Sequence, residues 1–201
     1  DVNNLIVNEA SVLRSQCGNS FANTDPTVGP TAEVRIAKLT GAGNVLFDGW
    51  GQFAINIFNV LSTDDYTGDI TVRNSYPNCP YWTETFNLAL LNLTDSDLEG
   101  HVHMEQYNVR DAKNRNRVGL NIASDITIGG LSDNGGSSTH LSSGTWFESE
   151  DAHCNDLSEE YTSFYTEEEN TLTINAHSDF EFNGRVYGSL NLVKKGSGVQ
   201  S

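Results

Sequence analysis

Apolar residues in this chain return at every second position, in short runs cut by Gly, Asn, Asp and Ser, and they scarcely follow helical spacing at all. A strand turns successive side chains to opposite faces, so this alternation describes half-buried strands, and the interrupting residues are those that turns require. Ala32, Val34 and Ile36 alternate with Glu33 and Arg35, and Gly41 to Asn44 reads as the turn of a hairpin. Val45 to Leu61 is long for one strand, and Gly49 and Gly51 around Trp50 predict a corner that lets the run serve two sheets. Alternation returns in Ile70 and Val72, in Phe86, Leu88 and Leu90, and in Leu98 to Val109. It continues through Val118, Leu120 and Ile122, then Ile126 and Ile128 as a return strand, and Leu172, Ile174 and Ala176. Only 150–169, rich in Asp and Glu, departs from the pattern and reads as a short helix or an ordered acidic loop.

About ten strands, hairpin-like connections and no crossover helix predict an all-β fold, an antiparallel, jelly-roll-like β-sandwich. No internal repeat stands out, which argues against propellers and solenoids. The 201 residues suit one domain. Within it, 1–13 reads as a strand that could be exchanged with a neighbouring copy, and 196–201 has the composition of a linker.

Charge narrows the partners. With 27 acidic residues against 11 Lys and Arg, the formal net charge is -16, so the average surface repels phosphate; no nucleic-acid partner is expected, and an anionic membrane is a poor one. No run is long and apolar enough for a transmembrane helix, since Phe53 to Leu61 is broken by Asn56 and Asn59. The sequence begins at Asp1, with Met104 its only methionine, as a chain would after removal of a signal peptide; a secreted, extracellular or cell-surface protein is the expectation. Cys17, Cys79 and Cys154 have no metal-binding spacing. In an exported protein one pair would bridge, and the loop-like surroundings of Cys79 and Cys154 nominate those two.

Three groupings could carry chemistry. His101, His103 and Glu105 alternate on one strand and so share a face, and two imidazoles with a carboxylate suit a transition metal, in a cupin-like site, if a further histidine comes from elsewhere. The acidic turns Asp64, Asp65 and Asp69, and Asp95 and Asp97, offer hard oxygen ligands for calcium, although polar turns need Asp for backbone reasons alone. Trp50, Trp82 and Trp146, with Tyr76 and Tyr81, could stack against sugar rings or simply fill the core. Asn92-Leu93-Thr94 fits the N-glycosylation pattern and would accept a glycan only if Asn92 faced water. There is no nucleophile elbow, phosphate loop, dinucleotide fingerprint or zinc-protease motif.

These features favour a structural or adhesive subunit, of a filament or surface layer, that self-associates by β-strand addition. A calcium-dependent carbohydrate-binding module comes next. A metalloenzyme using His101, His103 and Glu105 comes third.

Overall fold

A computed structural model describes residues 1–16, 31–51, 54–75, 86–106, 115–134, 139–144 and 168–201. In chain order the strands are β1 (Leu5–Ile6), β2 (Ser11–Gln16), β3 (Thr31–Ile36), β4 (Leu39–Gly41), β5 (Val45–Trp50), β6 (Ala54–Val60), β7 (Asp65–Tyr66) and β8 (Ile70–Asn74). They continue as β9 (Phe86–Leu93), β10 (Asp97–Gln106), β11 (Arg115–Ile122), β12 (Ile126–Asp133), β13 (Thr139–Ser143), β14 (Asn170–Asn175), β15 (Arg185–Tyr187) and β16 (Leu190–Lys195). Every ladder between them is parallel.

The chain winds as a parallel β-solenoid. A seven-stranded sheet runs β2-β5-β8-β10-β12-β14-β16, a six-stranded sheet runs β3-β6-β9-β11-β13-β15, and a three-stranded sheet, β1-β4-β7, closes the third side of the first turns. Each inner strand of a sheet pairs with the strand one turn before and one turn after it. The corner predicted around Trp50 is where β5 of the first sheet gives way to β6 of the second.

The parallel sense overturns the antiparallel jelly-roll sandwich. Alternation reports which face a residue occupies and is the same for either strand sense. The short polar gap at 41–44, taken for a hairpin turn, instead bends the chain onward to the next sheet, and Val118 to Ile128, read as one return strand, is two strands in different sheets, parted at 123–125. The solenoid shows no internal repeat in sequence because its turns differ in length. Ile126 and its ladder partner Leu172 lie 46 positions apart, whereas Leu172 and its partner Leu192 are separated by only 20.

What recurs is shorter than a turn. Gly43-Asn44-Val45-Leu46-Phe47, Gly68-Asp69-Ile70-Thr71-Val72 and Gly100-His101-Val102-His103-Met104 occupy equivalent places on β5, β8 and β10. The glycines stack closer than a side chain permits. A Cβ on Gly68 would lie 2.3 Å from the Gly43 carbonyl oxygen, and one on Gly100 would lie 2.0 Å from that of Gly68. One position on, Asn44 Oδ1 accepts the Asp69 amide at 3.0 Å and Asp69 Oδ1 accepts the His101 amide at 3.0 Å, so each side chain tethers the next turn.

The core lies between the two larger sheets, where rows of like residues stack. Phe47, Val72 and Met104 face Phe58, Leu91 and Leu120, all fully buried, and the rings of Phe47 and Phe58 are 5.2 Å apart. Each such side chain contributes roughly 1.5–3 kcal/mol by leaving water. Residues 1–13, expected as an exchangeable strand, pair within the chain through β1 on β4 and β2 on β5. The stretch 196–201 is bridged to Phe180, and the Gln200 amide bonds to the Leu131 backbone at 2.9 and 3.1 Å. No helix long and apolar enough to cross a membrane occurs among the described residues.

Candidate functional site

His101, His103 and Glu105 share one face of β10, as their alternation predicts; it is the outer face, and each is half-buried there. Each is occupied by the protein itself. His101 stacks on Phe180 at 5.0 Å, with its Nδ1 3.0 Å from Asp69 Oδ1. His103 Nδ1 lies 2.8 Å from Ser132 Oγ, and burial, reinforced by the neighbouring His101, lowers its pKa. Glu105 lies 3.8 Å from Arg73, and the two imidazoles are 6.4 Å apart between ring centres.

Beside them runs a row that alternates in charge across four strands: Arg14, Asp48, Arg73 and Glu105. Asp48 has no exposed side-chain surface and bonds Arg14 at 2.7 Å and Arg73 at 3.2 Å. Burial alone would raise its pKa, but the hydrogen bonds it receives, from Arg73 foremost, outweigh that and hold it low.

The acidic turns separate into two groups. Asp65 pairs with Lys38 at 2.5 Å, and Asp69 is taken up by His101. Asp64, Asp95 and Asp97 instead line one open cleft of about 350 Å³ with Asp125, Thr127, Thr171 and Thr173. The cleft follows the edge where the six-stranded sheet turns into the seven-stranded one. Asp95 takes a left-handed φ of 47°, a conformation Asp tolerates, and its amide donates to Ser124 Oγ at 2.9 Å. Asp125 accepts the Thr171 amide at 2.6 Å. Among the described residues no three His, Cys, Asp or Glu side chains are gathered closely enough to hold a metal ion.

Asn92 serves the fold rather than a glycan. Its Nδ2 donates to Asn59 Oδ1 at 2.9 Å, and Asn121 Nδ2 donates to Asn92 Oδ1 at 2.7 Å and to the Gly144 carbonyl at 2.8 Å. Ser142 Oγ closes this ladder on Asn121 Oδ1 at 3.0 Å. Cys79 and Cys154, the pair expected to bridge, lie outside the described residues, as do Cys17, Trp82, Trp146, Tyr76, Tyr81 and the acidic stretch 150–167. No disulfide occurs among the described residues.

Sequence reasoning missed the two ends of the solenoid. Among the described strands, β2 and β3 end the two larger sheets on one side and β15 and β16 on the other, each with a single hydrogen-bonded neighbour. The exposed large apolar side chains of the described chain lie in these terminal turns: Ile6 (62%) and Val12 (61%) at the first, Val186, Leu192, Val193 and Val199 at the last. The apolar alternation of Val186, Leu190 and Leu192 was a usable signal, but an edge becomes visible only once the order of strands is known. Comparisons with protein-family models, with curated proteins and with solved structures find no match.

Proposed function

We propose that this chain is a structural subunit that assembles end to end by parallel β-strand addition, as a filament or surface-layer component outside the cell. The observation that carries this reading is that, among the described residues, the exposed large apolar side chains lie in the first and last turns. A solenoid turn buries its apolar side only against neighbouring turns, and uncapped end strands present unpaired N–H and C=O groups as a template. The mode of addition differs from strand exchange, because β1 and β2 are already paired in their own chain. The edge of the seven-stranded sheet is stacked on instead.

Negative-stain microscopy and sedimentation velocity across a concentration series test this. Rods should appear and lengthen with concentration, growing by about 34 Å per subunit, the span of seven strands at about 4.8 Å. A species of single-chain mass at every concentration would sink the proposal.

A further inference from the structure

We infer that His101 and His103 form a two-imidazole site for a divalent transition metal, copper(II) foremost, on the outer face of β10, with Asp69 and Ser132 anchoring the rings. The inference does not depend on the end-to-end assembly proposed above.

A histidine ligates a metal through one ring nitrogen, and its other nitrogen is then ordinarily held by a carboxylate, a backbone carbonyl or water, which fixes the tautomer and the ring. Both rings of this pair are already held by one nitrogen. His101 Nδ1 lies 3.0 Å from Asp69 Oδ1, an oxygen that also accepts the His101 amide at 3.0 Å, so the carboxylate grips ring and backbone together. A carboxylate accepts, so in the neutral ring the proton sits on Nδ1 and the lone pair is left on Nε2. His103 Nδ1 lies 2.8 Å from Ser132 Oγ. The two anchors come from opposite sides of β10, Asp69 at the start of β8 and Ser132 within β12. Phe180, stacked on His101 at 5.0 Å, restrains that ring further. Among the described residues neither Nε2 has a hydrogen-bond partner, and neither is buried.

Spacing selects the ion. The ring centres are 6.4 Å apart. A ring centre stands about 3.1 Å from a metal bonded to its Nε2, the sum of a bond of about 2.0 Å and a ring radius of about 1.1 Å. Two rings trans to one another across a single ion are then about 6.3 Å apart, whereas a tetrahedral angle brings them to about 5.1 Å. The observed separation matches the trans pair of a square-planar ion, the geometry of copper(II) and nickel(II), and copper(II) binds nitrogen ligands the more tightly. Tetrahedral zinc would have to draw the rings together against their anchors. Glu105, the carboxylate expected to join the two histidines, lies beside Arg73 in the charged row, so water completes the coordination. The net charge of -16 favours the approach of any cation.

The test titrates copper(II) into the whole chain, followed by electron paramagnetic resonance, in which each coordinated imidazole nitrogen splits the signal, and by urea unfolding. One ion per chain should bind with two nitrogen ligands and raise the unfolding midpoint, since the unfolded chain lacks the anchored pair. Zinc should bind more weakly than copper. His101→Gln and His103→Gln should each lower the copper affinity by more than about tenfold, and Ser132→Ala, which keeps both ligands and frees one ring, by about tenfold. His177→Gln, at an exposed histidine away from the pair, should change nothing. Metal-free unfolding curves matching the parent establish that the variants fold, and Ser132→Ala decides the matter if the histidine variants do not. Copper held equally by the parent and the folded variants sits elsewhere on the chain and overturns the site, as does a parent that takes up no stoichiometric copper.

Discussion

His140 lies fully buried on the outer face of the six-stranded sheet, edge-on to Tyr187 at 6.0 Å and directly above Gly119. A Cβ at position 119 would come 2.2 Å from its Nε2, so the glycine makes room for the ring. Burial, with the Arg117 charge second, lowers the His140 pKa from 6.5 to about 3. Unfolded histidine gains its proton below about 6.5, while the folded one stays neutral until about pH 3. The unfolded state therefore binds more protons throughout that window, and folding stability falls as the pH drops through it, by up to about 1.4 kcal/mol per pH unit. Urea unfolding of the parent and of His140→Phe at several pH values isolates this: the difference between the two should grow in the variant's favour below pH 6.5 and level off near pH 3.

At the scale of elements, the asparagine ladder ties four consecutive turns through Asn59, Asn92, Asn121 and Ser142. Replacing Asn92 by Ala removes the acceptor of Asn121 and the donor to Asn59 together. Since Asn121 is fully buried, the loss should be about 2 kcal/mol in chemical denaturation. A surface asparagine such as Asn191 should cost far less. This ladder also shows what the sequence concealed. Phe58-Asn59-Val60, Leu91-Asn92-Leu93 and Leu120-Asn121-Ile122 are one motif repeated, but connections of unequal length scatter the copies along the chain.

Strand positions and faces were legible because alternation is local, and the shared face of His101, His103 and Glu105 is the clearest case. Strand sense was not, because it depends on where the chain goes after each polar gap. The acidic cleft was half legible for a related reason. Asp95 and Asp97 are neighbours in sequence, whereas Asp64 and Asp125 join them only through the stacking of turns.

For the whole molecule, the turns are bound to one another unequally. β6 and β9 share seven aligned residue pairs and β9 and β11 share eight, but β12 meets β14 over three and β13 meets β15 over three. Supplementary bonds, from the Asp133 amide to the Glu181 carbonyl and between the Gln200 side chain and the Leu131 backbone, reinforce that last junction from the side. In a filament pulled along its length, the ladder bonds of each junction carry the load together, and tensile strength is set by the junction with fewest of them. Under single-molecule force, rupture should begin beyond β12–β13, where each junction has six aligned pairs among the described residues, releasing the C-terminal turns while the earlier ones hold. The subunit would then behave as a stiff rod with a built-in extensible link, which lets a strained fibre lengthen before it parts.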